Sequence, residues 1–363
     1  MRRTSLVISD LGSGGAQRVL INLARLWLQQ NLSVTVITFA GPESDFMVLP
    51  VKAARLNVGG YGPSNSLWES LVGNVGRVRR LRKAIRDSRP DVVVSFLAAT
   101  NILTIFATFG LNCRVVICER NDPKRQSLGR LWDFLRWLFY RFADVTTANS
   151  RDAIESLKRY VPAARLEYVP NPVIAPEGVV AKNLPFPVIL SVCRLSHQKA
   201  VDCVLRGFAR VIESFPDWRL LVAGTGEDAA DLKQLSARLG IESRVVWLGE
   251  VEDPWAYYAA AEVFVLASRY EGTPNALLEA MVSGVAPVVS DAILGADGLV
   301  LHNRSGLVFP VDEDRSLADA LAQLMADEEK RKTIGRAARE SVRRYLEDDA
   351  MLAWNRVIGH VPS

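Results

Sequence analysis

The sequence predicts an α/β protein built of two Rossmann-like, doubly wound domains that face each other across a cleft. The chain has 363 residues, about twice the usual length of one domain. Apolar, β-branched runs alternate with helical patterns along its whole length, as expected for parallel sheets with crossover helices. Its composition, 49% hydrophobic and 23% charged, is that of an ordinary globular protein.

Each half of the chain contains five short apolar runs that predict buried strands. In the first half they are residues 6–9, 34–39, 92–96, 115–118 and 145–148. In the second half they are residues 188–192, 220–222, 245–248, 263–266 and 286–290. The repetition of the pattern predicts one sheet in each half.

A proline-rich segment predicts the domain boundary. Residues 169–187 contain five prolines and a glycine, which interrupt any regular element. We therefore predict an N-terminal domain over residues 1–170 and a C-terminal domain over residues 171–345. One charged helical segment, about residues 314–346, ends the second domain. Residues 346–363 form a C-terminal helix that we expect to pack back on the first domain.

The longest uncharged stretch covers 22 residues, 92–113, which is enough to cross a bilayer as a helix. Six serine, threonine and asparagine residues interrupt it, and its first five residues are typical of a buried parallel strand. We therefore predict a strand followed by a core helix. The N-terminus lacks the apolar run of a signal peptide, and the four cysteines form no metal or disulfide pattern. Reduced thiols in a cytoplasmic protein are expected.

Charge is distributed unevenly along the chain. Residues 1–180 hold 24 Lys+Arg against 14 Asp+Glu, so this half carries +10 and the remainder −6. A basic half predicts an anionic partner, either a membrane surface or a nucleic acid.

Two loops after predicted strands are suited to bind an anion. Gly12, Gly14 and Gly15 allow close backbone approach and precede a helix N-terminus, although a plain tight turn needs the same residues. Arg194 and Lys199 follow the strand at 188–192, on the edge where open α/β sheets bind ligands. Two cations there suit a diphosphate, although solvated surface charges are the alternative.

The segment 268–281, with sequence SRYEGTPNALLEAM, predicts a helix start beside two carboxylates. Thr273 is the expected N-cap and Pro274 the first helical residue. Glu271 then lies just before the helix and Glu279 in its second turn, on the same side of a bound ligand. Backbone N–H groups at the helix start are expected to point at phosphates. These belong to Asn275, Ala276, Leu277 and Leu278.

The order of several motifs resembles glycosyltransferase family four. E-G-T-P-N-A-L-L-E-A-M resembles its E-x7-E signature, R-L-S-H-Q-K its diphosphate site, and G-G-A-Q-R its G-G-A-E-R opening. Asn171 is similar to its interdomain asparagine, and Gly224 with Gly226 to its G-x-G turn. Gln17 and Gly298 stand where the family usually has glutamate.

The resemblance implies the GT-B fold and a retaining, metal-independent transfer from a nucleotide diphosphate-sugar, with a UDP-sugar as the expected donor. Arg194 and Lys199 would hold the diphosphate, Glu271 the sugar hydroxyls and Glu279 the ribose. Gly224 and the backbone after Pro274 belong to the same donor site. Gly14, Gly15 and Asn171 are expected to bind substrate as well.

The acceptor implied by the resemblance is a lipid-linked glycan at the inner face of a bacterial membrane. C-E-R-N-D-P at residues 118–123 resembles a run in relatives that extend such glycans, so Glu119 or Arg120 is expected to touch the acceptor. A structural ion pair is the alternative. The aromatic and basic stretch 128–142 fits an interfacial helix, or a core helix whose basic residues point outward. With Arg77, Arg79, Arg80, Arg82 and Lys83, it predicts peripheral binding to anionic membranes.

Other functions fit the sequence less well. The arginines of residues 75–87 lack a recognisable nucleic-acid-reading motif around them, so no nucleic acid is expected. An epimerase of the same fold is disfavoured because its catalytic histidine is missing, and a glycogen-synthase-like enzyme because the chain is short. The acidic run at Asp312 mimics a D-x-D metal site but precedes a predicted helix, where acidic residues favour the N-terminus. No metal or other cofactor is expected.

Overall fold

The computed structural model describes residues 2–60, 62, 67–124, 127–293 and 298–360. The chain divides into two compact units. The N-terminal unit comprises Met1–Pro172 and Glu347–Ser363, and the C-terminal unit comprises Val173–Leu346. Each unit has its own parallel sheet and its own hydrophobic core.

The N-terminal unit is a seven-stranded parallel sheet with helices in the crossovers. Its strands are β1 (Arg3–Ile8), β2 (Ser33–Thr38), β3 (Ala54–Asn57), β4 (Val92–Phe96), β5 (Arg114–Glu119), β6 (Val145–Ala148) and β7 (Leu166–Tyr168), in the order β3-β2-β1-β4-β5-β6-β7. The helices are α1 (Gly15–Gln29), α2 (Leu67–Ser88), α3 (Ala98–Thr108), α4 (Arg130–Phe139) and α5 (Arg151–Leu157). The strand order reverses between β1 and β4.

The C-terminal unit repeats this plan with six parallel strands. They are β8 (Val188–Val192), β9 (Arg219–Ala223), β10 (Val245–Gly249), β11 (Val263–Leu266), β12 (Ala286–Ser290) and β13 (Leu307–Phe309), in the order β10-β9-β8-β11-β12-β13. The helices are α6 (Val201–Val211), α7 (Ala229–Arg238), α8 (Trp255–Ala260), α9 (Asn275–Val282), α10 (Asp314–Ala326) and α11 (Glu328–Ser341). The predicted pair of doubly wound sheets is therefore confirmed.

The uncharged stretch at 92–113 forms a strand and a buried helix, as its polar residues predict. β4 is completely buried and α3 has nine buried residues. Among the described residues, no helix is long and apolar enough to cross a membrane.

The prediction of one helical segment over residues 314–346 is wrong in detail. Asp327 ends α10 and caps α11, because its carboxylate accepts the N–H of Lys330 at 2.9 Å. The segment is therefore two helices and a short 3₁₀ turn at Arg343–Tyr345.

The last helix, α12 (Glu347–Ile358), belongs to the N-terminal unit. Trp354 is fully buried there, with its ring 6.1 Å from that of Trp27 and 6.2 Å from that of Phe96. Its indole N–H donates to the carbonyl of Pro170 at 3.0 Å. Helix α12 thus completes a core to which Trp27 of α1 also belongs.

We expect Trp354→Ala to lower the free energy of unfolding of the N-terminal unit by about 3–5 kcal/mol, because a large cavity replaces the indole. Urea denaturation monitored by far-UV circular dichroism measures the loss. Leu352→Ala is the control, since Leu352 lies on the same helix and is 66% exposed. Equal unfolding midpoints for the two variants would contradict this role of Trp354.

Candidate functional site

In the C-terminal unit, two loops leave neighbouring strands at the point where the strand order reverses. β8 and β11 pair in parallel, with Ile189 opposite Val263 and Leu190 opposite Phe264. The loop after β8 carries Arg194 and Lys199, and the loop after β11 carries Glu271. Parallel strands place both loops at the same edge of the sheet, where ligands of such sheets bind.

The loop that carries Arg194 rests on the G-x-G turn after β9. The N–H of Leu195 donates to the carbonyl of Thr225 at 2.8 Å, and the N–H of Asp228 to that of Leu195 at 3.0 Å. A side chain on Gly224, whose φ is +130°, would collide with the carbonyl of Cys193. Gly224 therefore supports the loop, and Arg194 is exposed at its end.

Lys199 and Glu271 form an ion pair between the two loops. The Lys199 ammonium contacts Oε1 of Glu271, and the hydroxyl of Ser268 donates to the same oxygen at 2.8 Å. Both side chains are mostly buried. The pair therefore presents one cation and one carboxylate at the sheet edge without leaving either charge uncompensated.

The four cysteines are free, and their surroundings disfavour the thiolate form. Burial raises the pKa of the Cys193 thiol to about 11, and that of Cys203 to about 12. Burial also raises the pKa values of Cys113 and Cys118. A reactive cysteine instead needs a lowered pKa, so none of the four is a candidate nucleophile.

The helix after Glu271 starts one residue later than predicted. Pro274 is the N-cap of α9, so Thr273 is not, and no side chain caps the helix. The N–H of Leu278 donates to the carbonyl of Pro274 at 3.2 Å and therefore lies within the helical ladder. Asn275, Ala276 and Leu277 make up the first turn, whose N–H groups precede that ladder.

Glu279 is buried on α9, 6% exposed, and accepts a hydrogen bond from the Tyr258 hydroxyl at 3.1 Å. It thus has a partner inside the unit, whereas Glu271 stands at the edge. The acidic run at Asp312 pairs with Arg269, and α10 starts at Asp314 as predicted. Among the described residues, no group of three His, Cys, Asp or Glu could hold a metal ion.

In the N-terminal unit, the glycine-rich turn connects β1 to α1. Gly14 is the N-cap and Gly15 the first helical residue. The carboxylate of Asp10 accepts hydrogen bonds from the N–H of Gly12 at 2.9 Å and the amide of Gln17 at 2.8 Å. The turn thus has a polar lining, with an amide where the resembled family has a carboxylate.

Glu119 ends β5 as a buried carboxylate with two partners. The Tyr140 hydroxyl donates to Oε1 at 2.6 Å, and Nε of Arg136 lies 3.7 Å from the same atom. Burial raises the pKa of the Glu119 carboxyl, and nearby Arg136 opposes the rise. Glu119 is therefore part of a structural ion pair, the alternative that the sequence left open.

Arg120 is buried beside Glu119 and holds the segment after β7. Its guanidinium lies 5.0 Å from the Phe96 ring and 5.2 Å from the Trp354 ring, and donates to Oδ1 of Asn171 at 2.8 Å. Asn171 is itself buried. These two predicted substrate-binding residues are thus brought together by a contact within the unit.

Helix α4 turns an apolar face outward. Leu131, Phe134 and Trp137 are exposed, whereas Arg136 is 2% exposed. Arg130 and Arg141 are exposed as well, so the stretch has features of both arrangements that the sequence left open. Phe109, just beyond α3, is 74% exposed, and the Phe106 and Phe139 rings lie 4.4 Å apart, so α3 and α4 share this surface.

Three arginines of α2 are engaged within the N-terminal unit. Arg77 and Arg80 donate to the carbonyls of Gly60 and Val58, and Arg82 to those of Ala107 and Phe109. Arg79 and Lys83 are exposed. Three of the basic side chains of α2 therefore stabilise the fold through hydrogen bonds to backbone carbonyls, and Arg79 and Lys83 remain at the surface.

The sequence did not single out Arg269, Gln198, Tyr258 or Tyr140, although all four contact predicted site residues or their loops. Arg269 lies two positions before Glu271 and Gln198 one before Lys199. The sequence signal for Arg269 and Gln198 is their position beside the predicted site residues Glu271 and Lys199. Tyr140 and Tyr258 are each 21 positions from their carboxylate partners, so sequence spacing gave no indication.

Comparisons with known proteins identify the class of enzyme to which the chain belongs. The family model "Glycosyltransferase Family 4" matches residues 13–175, and "Glycosyl transferases group 1" matches residues 177–341. The chain is 28% identical to the Campylobacter jejuni GalNAc-alpha-(1->4)-GalNAc-alpha-(1->3)-diNAcBac-PP-undecaprenol alpha-1,4-N-acetyl-D-galactosaminyltransferase, covering 99% of both chains. It is 29% identical to the Rhizobium meliloti lipopolysaccharide core biosynthesis glycosyltransferase LpsE, covering 91% of both.

Among solved structures, Anabaena HepE in complex with UDP-glucose has a TM-score of 0.78 at 20% identity, and 99% of each chain is covered. At that identity the likeness concerns the fold, which is GT-B. The matches to family descriptions extend over both units. The chain is therefore a glycosyltransferase of the GT-B fold, similar to family 4 over residues 13–175 and to the group 1 glycosyl transferases over residues 177–341.

Proposed function

We propose that this chain is a retaining transferase that moves a sugar from a nucleotide diphosphate-sugar, with UDP as the nucleotide, to a lipid-linked glycan or polysaccharide acceptor. The observation that carries the proposal is the Lys199–Glu271 pair at the strand-order reversal of the C-terminal sheet. A diphosphate-sugar needs a cation and a hydroxyl-binding carboxylate close together, and this pair supplies both.

The donor lies along the edge formed by the loops after β8 and β11. Arg194 and Lys199 bind the diphosphate, and the first turn of α9 directs its N–H groups at the phosphates. Glu271 accepts hydrogen bonds from the sugar hydroxyls, and Glu279 from the ribose. In the free protein Lys199 neutralises Glu271, so a bound diphosphate competes with that carboxylate for the ammonium.

The leaving group is already stable as a diphosphate, so its departure requires positive charge more than a strong acid. Arg194, Lys199 and the N-terminal end of α9 supply that charge without a metal ion. The loop that carries Arg194 and Lys199 is held by the G-x-G turn before the donor binds.

The acceptor faces the N-terminal unit. Support comes from the Campylobacter jejuni relative, whose name places its substrate on PP-undecaprenol. In this proposal the acceptor phosphate or sugar lies near the start of α1, which Gly14 and Gly15 form. Glu119, Arg120 and Asn171 shape the neighbouring strand ends through their internal contacts.

A lipid-linked acceptor brings the protein to the inner face of the membrane. The apolar patch of α3 and α4, defined as Phe106, Phe109, Leu131, Phe134, Trp137 and Phe142, is exposed. Exposed Arg130 and Arg141 flank it, and the first half of the chain carries +10. Aromatic groups with basic neighbours suit the headgroup region of an anionic bilayer.

Glu271→Ala is expected to reduce transfer at least about 100-fold, because the sugar loses the carboxylate that orients its anomeric carbon. Binding of UDP alone should persist, since Lys199 is then released from its partner. The donor is first identified as the nucleotide-sugar that most raises the melting temperature. Release of nucleoside diphosphate at saturating substrates then measures turnover. The control is Glu242→Ala at an exposed position of the same unit, and it should keep wild-type turnover. Near-normal turnover of Glu271→Ala would refute the assignment of Glu271 to the donor sugar.

Lys199→Ala should lose about 10²- to 10³-fold in turnover, because the charge that develops on the diphosphate is left uncompensated. Lys233→Ala, on the exposed side of α7, should keep full activity. EDTA should leave the wild-type rate unchanged. Activity that EDTA abolishes and Mg²⁺ or Mn²⁺ restores would assign the charge compensation to a metal instead.

The wild-type protein should float with anionic vesicles at low salt and detach as salt rises, because screening weakens a contribution of about 1 kcal/mol per basic residue. Phe134→Ser with Trp137→Ser should abolish most of the binding. Val180→Ser, at an exposed apolar position of the C-terminal unit, should leave it unchanged. Wild-type protein that remains in the soluble fraction would rule out this surface as a membrane contact.

A further inference from the structure

Arg269 joins the two loops that carry the donor-site residues. It lies after β11, two residues before Glu271, and its backbone N–H donates to the carbonyl of Gln198 at 2.8 Å. The Gln198 side chain returns a hydrogen bond to the carbonyl of Tyr270 at 2.9 Å. The loop after β8 and the loop after β11 are thus cross-linked by reciprocal hydrogen bonds beside Lys199.

The guanidinium of Arg269 extends this cross-link to two further elements. It donates to the carbonyl of His197, the first residue of the short 3₁₀ turn that ends at Lys199. Its Nε lies 3.1 Å from Oδ2 of Asp312, and its Nη2 lies 2.8 Å from Oδ1 of the same residue. Nη2 is also 3.4 Å from Oδ1 of Asp202 in the first turn of α6.

Two residues in or next to the elements that Arg269 contacts have left-handed backbone conformations. Ala200, which follows Lys199, has φ +49°, and Asp312 has φ +61°. This region is uncommon for Ala and less so for Asp, and surrounding contacts help to hold a residue there. Arg269 binds Asp312 directly and binds the turn that leads into Ala200.

No other arginine of this network reaches the site loops through the contacts found in the described residues. Arg206 binds Asp202 at 2.7 Å from the exposed side of α6, and Arg210 binds Asp314 at 3.0 Å. Neither contacts the 3₁₀ turn or the loop after β11. Arg269 therefore differs from its neighbours in its contacts as well as in burial, since its side chain is 18% exposed and theirs are 44% exposed.

We propose that Arg269 is a positioning residue that fixes the Lys199 ammonium and the Glu271 carboxylate relative to each other for donor binding and transfer. The proposal rests on the donor roles given above for those two residues. Arg269 acts through the loops and does not touch the donor. Its planar fork is required, because one side chain must reach a carbonyl and two carboxylates at once.

The test compares Arg269→Ala, Arg269→Lys and Arg206→Ala in the full chain. Calorimetry gives the dissociation constants of UDP, UMP and uridine, and the ratio of the UMP to the UDP constant is the diphosphate preference. Kinetics give kcat and KM for the donor. Arg269→Ala should reduce the diphosphate preference and lower kcat/KM about 100-fold, without weakening uridine binding. Arg269→Lys should restore only part of the diphosphate preference and part of kcat/KM. Arg206→Ala should match the wild type in both quantities.

A folded Arg269→Ala protein with wild-type diphosphate preference and wild-type kcat/KM would overturn the proposal. If Arg269→Ala melts at a much lower temperature, the double variant Asp202→Asn, Asp312→Asn replaces it in the test. This double variant preserves side-chain size and removes both carboxylate partners of Arg269. An unchanged diphosphate preference in the double variant would also overturn the proposal. A wild-type protein that binds UDP no better than UMP would refute the proposed donor site itself, which is a separate outcome.

Discussion

The parallel pairing of β8 with β11 is the constraint on which the donor site depends. Because both strands run in the same direction, their following loops leave at one edge, and no loop needs to be long to bring Lys199 to Glu271. The G-x-G turn after β9 then supports the first loop from the opposite side. Three neighbouring strands therefore hold a cation and a carboxylate that lie 72 positions apart in sequence.

The N-terminal unit uses buried charge to hold its own framework. Arg136 and Tyr140 compensate Glu119, while Arg120 lies against the rings of Phe96 and Trp354 and is bonded to Asn171. Removing one partner from such a group would leave an uncompensated charge, which is costly in a buried environment. On α4, Arg136 turns toward Glu119, and Trp132, Leu135 and Phe139 pack on the core of the unit. Leu131, Phe134 and Trp137 are left on the outer face of the helix.

Much of the fold and part of the site could be predicted from sequence alone. All ten apolar runs lie on strands, because buried parallel strands are short, apolar and locally encoded. The same strands also predict the place of Arg194, Lys199 and Glu271, because the loops that carry these residues directly follow β8 and β11. The inward turn of Arg136 could not be predicted, because Glu119 lies 17 positions away and only the sheet brings them together. The start of α9 lies one residue later than Thr273 and Pro274 predict, because Pro274 is still extended, with ψ 117°. Arg269 was missed because its partners, Asp202 and Asp312, are distant in sequence.

The return of α12 to the N-terminal unit has a consequence for biosynthesis. Trp354 completes the surroundings of Trp27, Phe96 and Arg120, yet the ribosome adds it 182 residues after Pro172, where the first part of the unit ends. At about 5–20 residues per second, that interval is roughly 10–40 s. During translation the C-terminal unit, encoded by one continuous segment, is fully synthesised before the N-terminal unit can close its core. Until α12 emerges, Trp27 and Phe96 in the first part of the nascent chain lack the packing partner that they have in the folded protein.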